Sequence, residues 1–593
     1  MEKSSADENG ERPGMAGWAR NLTRANPRGL AHEVLVGVIV VAVAIAIPLT
    51  GSAYTLQLAT DVLTFATLAY GWNLISGFTG YLSFGQSSFF GLGAYTTGML
   101  VLHGHVPWYF AIGPAGIVAA AAAVLLGPIM LRLRGILFAL GMFGLARILS
   151  VVFSDWDYAG GSRGITLPAQ LTPTAVYIGM ALLTLAAFAL NAFFARSGFG
   201  LDAMSVREDE DAAAALGVPT TRVKVIAFIL SAALAGLAGG LVAWSRSYFD
   251  PSGAFDPAID LRTVVFVLFG GIGTLWGPLL GTTVLMVVGE QFLVYFPNLE
   301  LALYGGVVIA TVLALPGGLV SLANRFGWLR RKAALAPPSL PVGAPPPRSP
   351  LLEGGTPVLE VVDLTVRFGG LLALDCVSFK IGRGETVSII GANGAGKTTL
   401  FNAITGFVTP ASGDIRFNGA SVVKLPVFLR VQKGMARTFQ IPRLMPSMTV
   451  WENVVLASRH GRQSHRPVAH AAWVLRTVGL DAMWLDPVEH LTPGLQRELE
   501  LARVLALQPD LVLLDEVMAG MTREEQDSVR AIIRRLEEFG VAGVACVEHV
   551  IAAIADISDR MIVLDFGRKI ADDIPAKVLE DPVVVRAYLG EPL

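Results

Sequence analysis

The sequence has few cysteines and no excess of charge of either sign. Its 593 residues include two cysteines, Cys376 and Cys546, and neither lies in a C-x-x-C or His-rich spacing. A disulfide framework and a zinc site are therefore not indicated, and we interpret both cysteines as buried thiols. The 45 basic and 47 acidic residues leave a formal net charge of -2. Such a balance argues against a protein that binds nucleic acid.

Charged residues are scarce in total. They make up 16% of the chain, whereas 53% is hydrophobic and the mean hydropathy is +0.58. Soluble domains carry more charge than this, so part of the chain is expected to lie in lipid. The first residues are polar and mixed in charge, without a short basic region before a cleavage site. We therefore predict a retained cytoplasmic tail over residues 1–33 and no removable signal peptide.

Long apolar runs follow this tail. They begin at Val34 and recur to about Leu322, and a helix crosses a bilayer with about 20 residues. Residues 34–323 are therefore predicted to form a polytopic α-helical membrane domain of about eight to ten segments. Within the run from Val264 to Leu293, the stretch GGIGTLWGP predicts a turn between two helices, buried in protein and away from lipid.

Basic residues at the ends of apolar runs predict which loops face the cytoplasm. They precede the first run, separate two runs at Arg132 and Arg134, and follow the last run. The longest polar break within the membrane half, residues 196–222, contains REDEDAAAALGV and is predicted to lie on the same side.

Some residues inside the apolar runs are small or polar. GFTGYLSFGQSSFFGLGAY and SAALAGLAGGL are rich in small residues, which favours close helix packing over direct contact with a solute. Asn73, Gln86 and Arg147 are costly in lipid. Two interpretations of these three stay open: a solute pathway, or hydrogen bonds between helices.

The second half of the chain has a different composition. Residues 331–357 are rich in proline and predict an extended linker. After it, apolar stretches of strand length alternate with helical ones. Residues 358–593 are therefore predicted to form one α/β domain.

A phosphate-binding loop opens this domain. GANGAGKTT, residues 391–399, matches G-x-x-x-x-G-K-[ST] between an apolar strand and a helix. Glycines let backbone amides surround the phosphates, the lysine reaches the β and γ phosphates, and the threonine hydroxyl binds Mg²⁺. The pattern predicts an α/β P-loop NTPase that binds ATP and Mg²⁺ through Gly391, Asn393, Gly394, Gly396, Lys397, Thr398 and Thr399.

Two carboxylates end a later strand. PDLVLLDE, residues 509–516, is a buried-strand pattern that finishes at Asp515 and Glu516. Parallel strands of such a domain end at the same edge of the sheet as the P-loop. We expect Asp515 to hold Mg²⁺ and Glu516 to orient and polarise the attacking water.

These motifs and their order resemble the ATP-binding subunit of an ABC transporter, over residues 358–593. The resemblance implies that Phe368 in RFGG stacks on adenine. It implies that Gln440 in RTFQ senses the γ-phosphate and contributes to the metal shell. It also implies a catalytic role for His549, which ends VACVEH, at the γ-phosphate.

The signature motif of that family is altered in this chain. LTPGLQ, residues 491–496, stands where L-S-[GY]-G-Q is usual. Thr492 keeps a hydroxyl and Gly494 keeps a close backbone approach, so both are expected to contact ATP across a dimer of such domains. Pro493 and Leu495 lead us to expect a weakened contribution to the partner's site.

The membrane half resembles permeases of branched-chain amino-acid ABC importers, the hydrophobic amino acid uptake transporter family. GWNLISGFTGYLSFGQSSFFGLGAY, AGGSRGI, VREDEDAAAALGV and FGGIGTLWGPLLG occur in the family's order. A fused permease and ATPase subunit in a bacterial inner membrane is implied, with the ATPase domain cytoplasmic. REDEDAAAALGV, residues 207–218, is then expected to dock near Gln440.

The resemblance also implies partners. They are a second permease, a second ABC ATPase subunit expected to be an unlike chain, and an extracytoplasmic solute-binding protein that selects an amino acid. Two alternatives stay open: the same machinery importing urea or short amides, or a regulatory half that binds nucleotide with little turnover.

Overall fold

The computed structural model describes residues 47–48, 52–168, 173–246, 248–296, 299–315, 317–325, 355–462, 467–518, 521–548 and 554–589. The predicted tail, the start of the first apolar run and most of the proline-rich linker lie outside these residues. The first half is helical. Its helices are α1 (Ala53–Trp72), α2 (Gln86–Leu102), α3 (Trp108–Met130), α4 (Ile136–Asp155), α5 (Pro173–Arg196), α6 (Gly198–Glu208), α7 (Glu210–Ala215), α8 (Thr220–Arg246), α9 (Pro251–Ala254), α10 (Pro257–Gly270), α11 (Gly277–Tyr295), α12 (Glu300–Ala314) and α13 (Gly318–Arg325), with strands β1 (Ile165–Thr166) and β2 (Tyr248–Phe249) pairing between them.

Helix α8 forms the centre of this helical half. Within the described residues, five helical stretches are long and apolar enough to cross a membrane, and α8 is the most buried of them, with 67% of its most apolar window covered. Its glycines allow α2 and α3 to approach: a Cβ at Gly240 would lie 2.6 Å from Thr97 Oγ1, and one at Gly236 would lie 2.8 Å from the carbonyl oxygen of Ala115. The prediction that the small-residue stretches pack helices closely is confirmed. The total number of membrane segments stays a prediction.

The turn predicted within GGIGTLWGP is present, since α10 ends at Gly270 and α11 begins at Gly277. Asn73, in the π turn that follows α1, donates to the carbonyl oxygen of Thr274 at 3.2 Å and accepts from the Gly273 amide at 2.8 Å. Its amide also donates to Asn191 Oδ1 at 3.0 Å. Asn73 therefore satisfies the backbone of the turn, as non-helical backbone at membrane depth requires.

The other two polar residues of the apolar runs have different surroundings. Gln86 donates to Ser231 Oγ of α8 at 2.8 Å and is buried. Arg147 is exposed on α4. Of the two interpretations, hydrogen bonding between helices applies to Asn73 and Gln86.

The second half is an α/β domain. Its strands are β3 (Leu359–Phe368), β4 (Leu371–Ile381), β5 (Glu385–Ile390), β6 (Ser412–Phe417), β7 (Ala420–Ser421), β8 (Met435–Arg437), β9 (Leu511–Asp515), β10 (Gly543–Val547), β11 (Arg560–Asp565) and β12 (Arg568–Asp573). Its helices are α14 (Lys397–Thr405), α15 (Val427–Gln432), α16 (Val450–His460), α17 (Pro467–Val478), α18 (Pro493–Ala506), α19 (Arg523–Arg534), α20 (Pro575–Glu580) and α21 (Pro582–Leu589).

Two sheets build this domain. The larger has the order β12-β11-β5-β10-β9-β8, in which β12 runs antiparallel and the other strands are parallel. The smaller, of order β4-β3-β6-β7, is antiparallel. Val547 of β10 pairs with Ile389 on one side and Asp515 on the other, so the ends of β5 and β9 lie at one edge. The predicted fold class, a helical membrane domain followed by an α/β P-loop domain, is confirmed.

The two cysteines differ, and the prediction of two buried thiols is wrong for one. Cys546 is buried in β10, and burial raises the pKa of its thiol to about 12. Cys376 is exposed. It lies in β4 where the pairing with β3 shifts register, and its φ of +50° interrupts the alternation that would turn it inward.

Candidate nucleotide site and its link to the membrane helices

The P-loop connects β5 to α14 and wraps the start of that helix. Gly394 and Gly396 have φ values of +86° and +101°, the region that glycine enters without strain. A Cβ at Gly396 would lie 2.8 Å from both the Ala373 carbonyl oxygen and Leu374 Cδ2. The loop therefore keeps its shape only with glycine here. Its amides and the N-terminus of α14 form a cradle that fits phosphate oxygens.

The remaining side chains of this loop differ in exposure. Asn393 and Thr398 are exposed, and Thr399 is half-buried. Lys397 is buried, and its Nζ donates to the carbonyl oxygens of Gly391 at 2.6 Å and Ala392 at 3.1 Å. The lysine cation is thus held at the centre of the loop.

Lys397 also lies in the field of the two strand-end carboxylates. Burial lowers its pKa, and the negative charges of Glu516 and Asp515 act against that shift. The structure therefore brings the P-loop cation and the predicted carboxylates into one electrostatic environment.

Asp515 forms a buried ion pair that the sequence analysis missed. Arg437 Nη2 lies 3.1 Å from Asp515 Oδ2, and both side chains are 3% exposed. Arg437 also donates to Asn402 Oδ1 at 2.7 Å and to Thr405 Oγ1 at 3.2 Å, both on α14. Burial raises the pKa of Asp515, while the positive charge of Arg437 acts against the rise. Arg437 thus joins the P-loop helix to the strand-end carboxylate, and its place at the start of RTFQ was the available signal.

Glu516 and Gln440, predicted to act at the γ-phosphate, are in contact. Gln440 Nε2 donates to Glu516 Oε2 at 2.9 Å. Glu516 has a φ of +49°, an uncommon conformation for a residue with a Cβ, and its amide donates to the Val547 carbonyl oxygen at 2.9 Å. Such strain is typical of functional positions. His549 lies outside the described residues.

Helix α18 holds the segment that contains Gln440. Arg497 Nη1 donates to the Phe439 carbonyl oxygen at 2.7 Å, and Glu500 Oε1 accepts from the Phe439 amide at 2.9 Å. Arg503 Nη1 donates to the Arg443 carbonyl oxygen at 2.7 Å. These three residues of α18 were not predicted from the sequence. They are charged residues at positions that an amphipathic helix normally fills with buried apolar residues, and this mismatch was the available signal.

The altered signature motif begins α18. Thr492 caps the helix by accepting from the Leu495 amide at 3.4 Å, and Pro493 occupies the first turn, where it offers no N–H. Gly494 is buried, and a Cβ there would lie 3.1 Å from Glu525 Cγ of α19. These contacts are local to α18 and α19. Phe368 is 50% exposed at the end of β3, so its ring has a face available for stacking.

The donors present fit Mg²⁺ bound together with a nucleotide. Thr398 offers a hydroxyl, Gln440 an amide oxygen and Asp515 a carboxylate, all oxygen ligands of the kind that Mg²⁺ takes. Within the part of the chain that the structure describes, no three His, Cys, Asp or Glu side chains converge into a metal-binding group. A magnesium ion here would complete its shell with phosphate oxygens and water.

Residues 198–218, named the bridging segment, connect this site to the membrane domain. The segment contains α6 and α7. Arg443 Nη1 lies 3.3 Å from Asp209 Oδ2, and Ser447 Oγ donates to Glu208 Oε1 at 2.6 Å. A second contact joins His460 Nε2 to Asp202 Oδ1 at 2.8 Å. Arg443 follows Gln440 by three positions, so the prediction that this segment docks near Gln440 is confirmed.

Three family models match the chain. A model described as the permease component of the branched-chain amino acid transport system matches residues 54–312, and the ABC transporter model matches residues 374–519. A model described as the branched-chain amino acid ATP-binding cassette transporter matches residues 568–592.

Known proteins agree with these models. The high-affinity branched-chain amino acid transport ATP-binding protein BraF of Pseudomonas aeruginosa is 38% identical over 251 residues, which are 40% of this chain and 98% of BraF. The chain belongs to the branched-chain amino-acid ABC transporter family. LivG of Escherichia coli K12, an ATP-binding protein of the same description, is 36% identical over 40% of this chain and 98% of its own length. The probable LivG of Archaeoglobus fulgidus is 30% identical over 39% of this chain and 95% of its own length.

This ABC transporter therefore carries a permease region and an ATP-binding region. The second region binds ATP, and its activity is ATP hydrolysis coupled to solute transport. The permease match and the long apolar helices make the chain a membrane protein.

Proposed function

We propose that this chain takes up branched-chain or related amino acids across the bacterial inner membrane, as the fused permease and ATPase half of an importer. One observation carries the proposal: the bridging segment of the permease region docks on Arg443 and Ser447, which follow Gln440 in the ATPase region. Residues 34–323 would form the membrane domain, and residues 358–593 the cytoplasmic ATPase domain. The relatives named for branched-chain amino acid transport support the cargo.

In this proposal, the P-loop binds ATP and Phe368 stacks on the adenine. Mg²⁺ supplies charge neutralisation at the phosphates, and Thr398, Asp515 and Gln440 would hold it. Arg437 would hold Asp515 in place and favour its ionised form, since its guanidinium lies 3.1 Å from that carboxylate. Glu516 orients the attacking water.

The same contacts suggest how ATP acts on the membrane. Gln440 touches Glu516 on one side, and Arg443 touches the bridging segment on the other. Movement of Gln440 towards the γ-phosphate would thus be passed to the permease. His549 is expected to act at the same phosphate.

The proposed assembly has further subunits. Two ATPase domains would place each signature motif on the other's ATP, with Thr492 and Gly494 as contacts. A second permease and an extracytoplasmic binding protein complete it. Because Pro493 offers no N–H and Leu495 replaces the usual glutamine, we expect a weak site in the partner. Thr492→Ser with Leu495→Gln should raise ATP hydrolysis, and unchanged hydrolysis would contradict this.

The test of the proposed function is uptake in proteoliposomes that hold the chain with its partner subunits. ATP-dependent uptake of labelled leucine, supplied with loaded binding protein, should be lost in Glu516→Gln. Glu524→Gln, an exposed glutamate of the same domain, is the matched control and should transport normally. Uptake of urea and not leucine would show that the proposed solute is wrong. Equal uptake by wild type and Glu516→Gln would overturn the assigned role of Glu516.

A further inference from the structure

Three side chains from separate elements meet where the bridging segment joins the membrane helices. Glu210 begins α7, Lys224 lies in the first turns of α8, and Tyr81 lies between α1 and α2. Lys224 Nζ is 2.6 Å from Glu210 Oε1 and donates to Tyr81 Oη at 2.9 Å. Tyr81 Oη donates to Glu210 Oε2 at 2.7 Å. Both carboxylate oxygens of Glu210 are thus bound, one by each partner.

Burial makes this triad strong. The side chain of Lys224 is 5% exposed and that of Glu210 is 17% exposed. Burial alone would raise the pKa of Glu210, but the hydrogen bonds from Lys224 and Tyr81 outweigh it and the pKa is lowered. The Lys224 ammonium also lies 4.6 Å from the centre of the Tyr81 ring. An ion pair sheltered from water keeps much more of its Coulomb attraction than an exposed one.

Other charged groups face Glu210 less closely. Arg134, after α3, lies 3.8 Å from Glu210 Oε2, but its side chain is 65% exposed. Thr220 Oγ1 is 3.4 Å from Glu210 Oε1. The exposed arginine contributes little, so the buried lysine is the main partner of Glu210.

The triad and the contact with the ATPase domain both involve residues at the start of α7. Asp209 and Asp211, the neighbours of Glu210, lie 3.3 Å and 3.7 Å from Arg443 Nη1. Glu210 binds Lys224 of α8, the most buried of the long apolar helices. Successive residues at the N-terminus of α7, from its cap Asp209 onward, thus hold the ATPase domain on one side and the central membrane helix on the other.

We infer that Glu210, Lys224 and Tyr81 are positioning residues that lock the bridging segment to α8, so that movement of Arg443 turns the central membrane helix. This rests on the proposed function insofar as ATP drives the membrane helices. The lock predicts a specific defect: without it the ATPase domain cycles, but α8 no longer follows.

The test detects movement of α8 by cysteine labelling, with no transported solute present. In a Cys376→Ser background, Ser245→Cys places a thiol at the far end of α8, where the side chain is exposed, while the native Cys546 stays buried. The full chain, with its partner subunits in nanodiscs, is labelled with a maleimide in the presence and absence of ATP and vanadate. ATP hydrolysis is measured on the same samples.

Glu210→Gln should reduce the ATP-dependent change in labelling rate roughly tenfold, a usual size of coupling between sites, and leave hydrolysis near wild type. The exchanged pair Glu210→Lys with Lys224→Glu should restore part of the change. Arg222→Met is the matched control, because Arg222 also begins α8 but is exposed. An ATP-dependent change in labelling rate as large in Glu210→Gln as in wild type would overturn the inference. So would equal loss of labelling change and hydrolysis, or a wild-type α8 that does not respond to ATP. No amino acid is present, so failure of the proposed cargo would leave this result unaffected.

Discussion

Replacement of Arg437 by methionine should destabilise the ATPase domain by several kcal/mol. Arg437 and Asp515 are both 3% exposed and 3.1 Å apart. Removal of one member of a buried ion pair costs about 3–5 kcal/mol, because the other charge is left unpaired in a medium that solvates it poorly. Methionine fills most of the arginine stem's volume, so the predicted loss comes mainly from charge and hydrogen bonding.

Calorimetry of the purified full chain measures this loss. A domain of this size shifts by about 2–4 °C per kcal/mol, so the transition of the ATPase domain should fall by about 6–20 °C. Arg416→Met is the matched control. Arg416 pairs with Glu360 and Asp414, but its side chain is 47% exposed. Exposed pairs contribute about 0–1 kcal/mol, so this transition should move by less than about 4 °C.

A double variant separates the unpaired charge from lost packing. Arg437→Met with Asp515→Asn should be more stable than Arg437→Met alone, because the double variant buries no charge at this position. Equal shifts for Arg437→Met and Arg416→Met would refute the reasoning. A double variant as unstable as the single one would show that packing, and not charge, sets the cost.

Three further predictions concern separate features. Gly396→Ala should abolish binding of a fluorescent ATP analogue, because its Cβ would strike the Ala373 carbonyl oxygen, whereas Gly370→Ala, with open space around it, should bind normally; normal binding by both would contradict the cradle. A thiol reagent should modify Cys376 in the native chain and reach Cys546 only after unfolding. Rapid modification of both thiols in the native chain would contradict the burial of Cys546. Glu210 has a lowered pKa, so it stabilises the fold above its ordinary pKa and this is lost as pH falls through the lowered value. The melting temperatures of wild type and Glu210→Gln should therefore converge as pH falls below the ordinary carboxyl range, and a constant gap would contradict this.

Local motifs made much of the ATP site predictable. The P-loop lies within nine consecutive residues, and its backbone conformation is set by Gly394 and Gly396. Asp515 and Glu516 were predictable because parallel strands share one edge, and the pairing of β9 with β10 places them there. The division into a helical membrane half and an α/β half followed from the length and alternation of the apolar stretches.

Contacts between distant segments could not be predicted in the same way. Arg437 meets Asp515 from another strand, and Arg497 and Arg503 reach back to the Gln440 segment from α18. No short sequence motif indicates that these residues, distant in the chain, lie close together in the fold. Cys376 was interpreted wrongly because a register shift in β4 is invisible to alternation.

The docking of the bridging segment on an ATPase domain of the same polypeptide has a consequence for assembly. A contact between two parts of one chain is governed by effective concentration, and its occupancy does not fall when the protein is diluted. Asp209 can therefore hold Arg443 with a weak, partly exposed pair, beside the more buried contact of Asp202 with His460, where separate subunits would need a larger interface. A permease joined in this way also meets its own ATPase before any competing cassette in the cell, and substitutions on the two sides of the contact are inherited together.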